Sequence, residues 1–177
     1  MRTFASIPLF TLGILFILFG FYLVYLRYSP KSLAFENTTL SANSSHTTLP
    51  YIIKIPSINV TLPIVPSKIE NNKWETTSHG VSFLTQSSKP GNPGNSVYYG
   101  HNWGSILGNL TKVKPKDTIE ITMSTGKTYT YEVEYTAIVD PTQTSVIHDA
   151  GDTRVTIYTC TGFLDTKRFV VVAKPTD

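Results

Sequence analysis

Residues 154–175 read RVTIYTCTGFLDTKRFVVVAKP. Two runs rich in β-branched and aromatic residues, RVTIYT (154–159) and RFVVVA (168–173), flank a polar loop that carries a glycine, and such runs favour pleated, half-buried backbone. If they are antiparallel neighbours, the end of the first and the start of the second share one rim of the sheet. Cys160 and Arg168 then face each other across the seven-residue loop 161–167. A planar, permanently charged guanidinium beside a thiol lowers the cost of the thiolate and offers paired donors to a carbonyl or a developing oxyanion.

Outward from this pair the same pattern recurs. YIIKI (51–55), NVTLPIV (59–65), GVSFL (80–84), SVYYG (96–100), TIEIT (118–122) and KTYTYEVEYTAIV (127–139) read as short strands. KPGNPGN (89–95), KPKD (114–117) and MSTGK (123–127) punctuate them as turns, and only WGSILGNL (103–110) suggests a short helix. Eight such strands in one core predict an all-β domain closed into a barrel, an arrangement that also removes exposed sheet edges. No internal repeat is visible.

Aromatics at 12% beside charged residues at only 15% suit a folded, strand-rich chain and exclude wholesale disorder. The length of 177 residues leaves room for one compact domain of roughly 130 beyond the N-terminal segment. Net charge is +3, but Arg2 and Arg27 flank that segment, and the remaining 13 of the 15 basic side chains stand against 12 acidic ones. That balance excludes a nucleic-acid surface. Cys160 is the single cysteine, so an intramolecular disulfide is impossible and the fold must rest on its core. On residue type alone a lone cysteine is more often a small buried apolar residue than a nucleophile.

From Thr3 to Leu26 no residue is charged, and 7–26 reads IPLFTLGILFILFGFYLVYL. About 20 such residues at a rise of about 1.5 Å match a hydrocarbon core of roughly 30 Å. The run exceeds a signal-peptide core and no Ala-x-Ala site follows it, so residues 1–27 are expected to be a retained transmembrane anchor. SPKSLAFENTTLSANSSHTTLP (29–50) is rich in Ser, Thr and Asn and reads as a flexible spacer, which assigns 28–50 to a linker and 51–177 to the domain. Basic residues lie on both sides of the span, so the orientation, N-terminus inside and C-terminus outside, is taken from the polar spacer.

SVYYGHNWG (96–104) ends an apolar strand at Gly100 and delivers His101 to a loop starting at Asn102. A histidine just past a strand end, with an unperturbed pKa near 6.5, suits proton transfer. His46, His79 and His148 are the competing candidates. Glu70, Glu75, Asp140, Asp149 and Asp152 show no calcium-ligand spacing, and four histidines with one cysteine lack structural zinc spacing, so no metal or other cofactor is expected.

IKIPSINVTLPIV (53–65), KPGNPGNSVYYGH (89–101), GNLTKVKPKDTIEI (108–121) and VTIYTCTGFLDTKRFVVVAKP (155–175) resemble, in this order and at similar spacing, the sortase family of cysteine transpeptidases. The resemblance covers residues 51–175, and its most specific parts are Thr156 to Cys160, Gly100-His101 and Arg168. It implies a sortase-like eight-stranded β-barrel with one or two short helices behind an N-terminal transmembrane helix. It further implies cleavage of an LPxTG-like sorting signal through a thioester and transfer of the protein to an amine on the cell wall or a pilin. Carried onto this chain, the nucleophile is Cys160, the acid/base His101 and the oxyanion or substrate clamp Arg168, with Thr159 and Asn102 as supporting candidates. The loop 161–167 is shorter than in many members. A hydrolytic cysteine peptidase would use the same residues, and a non-catalytic membrane-tethered barrel binding peptide or wall polymer would use Cys160 only as packing.

Overall fold

The computed structural model describes residues 6–28, 33–36, 38, 48–70 and 73–176, with the side chains of the N-terminal helix described over 10–25. That helix is α1 (Ser6–Tyr28). The strands are β1 (Pro50–Ile55), β2 (Val60–Ser67), β3 (Ile69–Glu70), β4 (Lys73–Trp74), β5 (Val81–Leu84), β6 (Gly94–Tyr99), β7 (Thr118–Met123), β8 (Thr128–Val139), β9 (Thr153–Thr161) and β10 (Lys167–Pro175).

Eight of them close into a barrel in the order β1-β2-β5-β6-β9-β10-β8-β7, which is the expected all-β architecture. The β2–β5 and β6–β9 pairs are parallel and the rest antiparallel. The chain must therefore cross over twice. The first crossover, from β2 to β5, carries the small β3–β4 hairpin, and the second, from β6 to β9, carries β7 and β8.

Period-two alternation divides the strands between two apolar clusters. Ile53, Ile55, Phe83, Tyr98, Ile119, Ile121, Ile157, Val171 and Ala173 point inward and fill the barrel. Their neighbours Val97 and Tyr99 on β6, Tyr158 and Cys160 on β9, and Val170 and Val172 on β10 form a second cluster on the outer face. Such a surface needs a cover, because β-strands buried on both faces cannot be left wet. Trp74 of β4, Ile147, and Leu33 and Phe35 from the segment before β1 supply it. Trp74 meets Tyr99 edge-on at 5.2 Å and 82°, and Phe35 meets Tyr158 edge-on at 5.0 Å and 80°, both favourable aromatic geometries. The stretch read as a spacer thus contains, at residues 33–36, a strap seated on the barrel.

Residues 103–110 are not a helix. They form a run of turns ending in a 3-10 turn at Leu110–Lys112. Gly108 donates its N–H back to the Trp103 carbonyl at 2.8 Å, and a Cβ there would stand 2.8 Å from backbone atoms of Asn102 and Trp103. Two glycines in eight residues also weigh against helix and favour the tight turn. Along α1 the described side chains, residues 10–25, cover about 24 Å of helix. Among the described residues no helix is long and apolar enough to cross a membrane.

Candidate active site

Cys160 is the second-last residue of β9 and Arg168 the second residue of β10, and the antiparallel register pairs them directly. Residues so paired carry their side chains on the same face, here the covered outer face. β6 lies on the other side of β9. Its register pairs Tyr99 with Tyr158, the Gly100 N–H donates to the Tyr158 carbonyl at 3.3 Å, and His101 follows at the level of Cys160. Strands β9 and β10 therefore set Cys160 and Arg168 side by side, and the neighbouring β6 delivers His101 to the loop that starts just past its end. All three are buried, with exposures of 5%, 2% and 3%.

Each is held by local structure. The His101 ring stacks on Trp103 with centroids 4.3 Å apart and planes 8° from parallel, and the His101 carbonyl accepts the Leu107 N–H at 3.1 Å. Burial lowers the His101 pKa from its ordinary value, since the imidazolium loses water, while the Asp165 carboxylate acts in the opposite direction. Arg168 donates through Nη1 to the carbonyls of Asp165 and Lys167, both at 3.0 Å, and through Nη2 to the Ala34 carbonyl at 2.7 Å. Among the described residues its buried Nε–H has no hydrogen-bond partner. The Phe35 ring lies under the guanidinium, 6.0 Å from centroid to carbon.

The supporting candidates have separate tasks. The Thr159 hydroxyl donates to the Gly100 carbonyl at 2.8 Å and so ties β9 to the residue before His101. Asn102 donates through Nδ2 to Asp165 Oδ1 at 2.7 Å, which links the His101 loop to the turn before Arg168. Of the other histidines, His79 is exposed and shares a hydrogen bond with Ser78. His148 bonds the Thr144 carbonyl through Nδ1, and its own carbonyl takes Asn95 Nδ2, near the start of β6 and away from Cys160. His46 lies outside the described residues. Two features of the site had no sequence signal: Asp165, an acid in a short polar loop, and the Leu33–Glu36 strap, two apolar side chains inside a Ser/Thr/Asn-rich stretch. Only the fold places them against Arg168.

Catalysis needs a nucleophile, a proton carrier and a charge-stabilising donor within reach of one reacting carbonyl. The candidates for these parts are Cys160 and Arg168 on adjacent strands and His101 in the loop after β6. A sortase-domain family model matches residues 53–176. Sortase A of Listeria monocytogenes is 31% identical over 128 residues, covering 69% of this chain and 54% of the relative. Sortase D of Bacillus subtilis is 32% identical over 96 residues, covering 54% and 46%. The chain thus spans about half the length of these curated relatives. Among solved structures, sortase A of Corynebacterium diphtheriae superposes with a TM-score of 0.64 at 27% identity over 88% of this chain and 82% of that one. Sortase C-1 of Actinomyces oris gives 0.60 at 29% identity over 71% and 73%. A family model that runs from the first barrel strand to the last, over the segments that carry Cys160, His101 and Arg168, makes this chain a member of the sortase family.

Proposed function

We propose that the protein is a cysteine transpeptidase that cleaves an LPxTG-like sorting signal at Cys160 and passes the acyl group to an amine. The observation that carries this reading is the direct pairing of Cys160 with Arg168, with His101 buried in the loop that follows β6, the strand next to β9. The Cys160 thiolate attacks the carbonyl of the signal's threonine, and the resulting oxyanion accepts donors from Arg168. The unpartnered Nε–H supports that role, because a buried donor without an acceptor is costly unless a ligand supplies one. Collapse breaks the amide and leaves a thioester, while His101 gives its proton to the departing amine. The incoming amine then attacks the thioester, His101 takes up its proton, and the thiolate leaves. Water in place of the amine would make the same site a hydrolase, and the products tell the two apart.

The partners of this reaction are proteins with a C-terminal sorting signal and an amine on cell wall or pilin. The N-terminal segment is proposed as a membrane anchor with the barrel outside. Its support is the uncharged sequence from Thr3 to Leu26, about 36 Å as a helix. Phe10, Phe16, Phe21 and Tyr25 are also exposed around α1, where water would be unfavourable and lipid would not.

Intact-protein mass spectrometry with a sorting-signal peptide tests the chemistry. The parental chain gains the mass of the acyl fragment, hydroxylamine removes it, and an added amine releases a ligated peptide. Cys160→Ala keeps its fold and gains nothing. Acyl transfer by that variant would overturn the mechanism.

A further inference from the structure

We infer that Asp165 is a positioning residue of this site, a clasp that fixes the His101 loop and the Arg168 side chain relative to each other; the inference rests on the roles proposed for those two. Asp165 is bonded to both sides of the site. Its carboxylate accepts Asn102 Nδ2 at 2.7 Å, and Asn102 is the residue next to His101. Its backbone carbonyl accepts Arg168 Nη1 at 3.0 Å. The carboxylate is also the charge whose field acts on His101.

The backbone carries the same message. Leu164 and Asp165 are consecutive non-glycine residues in the left-handed region, with φ of 51° and 60°. Leu164 gains little by it, since its side chain is half exposed. Such strain persists where surrounding contacts over-determine it, and those contacts are found at Asp165: the two bonds to the site and the N–H donated to the Gly162 carbonyl at 3.3 Å. Glycine would relax the turn at this position. An aspartate instead adds a charged acceptor pointing at the His101 loop. The ring stack on Trp103 and the backbone bond to Leu107 hold His101 within its own loop, whereas the Asp165 carboxylate ties that loop to the turn before β10.

Three variants separate the clasp from a mere turn former. Asp165→Gly suits the left-handed backbone, keeps the carbonyl for Arg168 and removes only the carboxylate. Asp165→Asn keeps a neutral acceptor for Asn102. Asn102→Ala removes the donor from the other side. Single-turnover acylation of Cys160 by a peptide containing Leu-Pro-x-Thr-Gly is measured against peptide concentration, with melting temperatures alongside. We expect Asp165→Gly to melt at or above the parental temperature yet acylate about ten- to a hundredfold more slowly, with the loss in the maximal rate and not in the half-saturating concentration. Asp165→Asn should recover most of that loss. Asn102→Ala should match Asp165→Gly, and the double variant should be no slower than either.

Parental acylation rates in Asp165→Gly, a loss confined to half-saturation, additive losses in the double variant, or an Asp165→Asn no better than glycine would each overturn the clasp while leaving the transpeptidase reading intact. A parental chain that forms no thioester at Cys160 would overturn both.

Discussion

At the residue scale, Arg168 is set apart by what its fork already holds. Three carbonyls, those of Ala34, Asp165 and Lys167, take its Nη donors, and Nε–H is left over. A lysine in its place keeps the charge but is a compact point donor on a flexible stem and cannot serve three fixed acceptors. Arg168→Lys is therefore expected to slow single-turnover acylation by about a hundred- to a thousandfold, the usual cost of losing an oxyanion donor. Because the lost partners are buried, it should also cost about 1–3 kcal/mol of stability, seen as a lower midpoint in urea. Acylation at near the parental rate would remove Arg168 from the site. His101 makes a different prediction. Burial lowers its pKa below that of the unfolded chain, so between the two values the unfolded chain binds more protons and stability rises with pH. The contribution is complete above the unfolded value of about 6.5 and is lost as pH falls through the folded one. His101→Gln, neutral at every pH, should flatten that part of the stability curve; an unchanged slope from pH 7 down to 5 would show that His101 is not its source.

At the element scale, the Leu33–Glu36 strap lies over the same outer face that presents Cys160 and Arg168. Leu33 is fully buried and its carbonyl accepts the Tyr158 hydroxyl at 3.1 Å, while the Glu36 N–H reaches the Pro141 carbonyl at 3.0 Å. Much of its hold is the Phe35 ring, and truncating a buried phenylalanine typically costs about 3–5 kcal/mol. If the strap opens as a local unit, Phe35→Ala should raise the rate of Cys160 alkylation by iodoacetamide at least about tenfold, with the barrel still folded by circular dichroism. An unchanged alkylation rate would mean that the strap does not limit access. Legibility in the sequence follows the same division. The eight barrel strands are legible because each is a short run rich in β-branched and aromatic residues bounded by turn signals, and the Cys160–Arg168 pairing is legible because one short loop joins their strands. The β3–β4 hairpin could not, since two-residue strands have no period. At 103–110 the apolar pair Ile106-Leu107 imitates a helical face, while Gly104 and Gly108 favour the turns that the chain adopts. The strap and Asp165 were invisible because a side chain's role there depends on what lies more than a hundred residues, or one strand, away.

At the scale of the whole molecule, the question is where this site stands relative to the membrane. α1 ends at Tyr28 and the strap begins at Leu33, so the chain between them can span at most about 18 Å. Leu33 and Phe35 are in turn packed in the cluster that contains Cys160. If 1–27 is an anchor, the strap holds the reactive face close to the bilayer surface. A long free spacer would instead let the barrel wander over a radius of tens of ångströms, at roughly 5–6 Å times the square root of the residue number. The anchoring proposal thus gains a mechanical reason for residues 33–36 to be seated. With the sorting signals and wall amines proposed above as partners, residues 51–177 are expected outside the cytoplasmic membrane. Cells expressing the full chain with an epitope tag after Asp177 test this by protease shaving. The tag should be lost from intact cells while a cytoplasmic control survives, and the tagged barrel should stay with the membrane fraction through a high-salt wash. A tag that is protected until lysis would reverse the orientation, and a barrel released by salt alone would show that α1 does not span the bilayer.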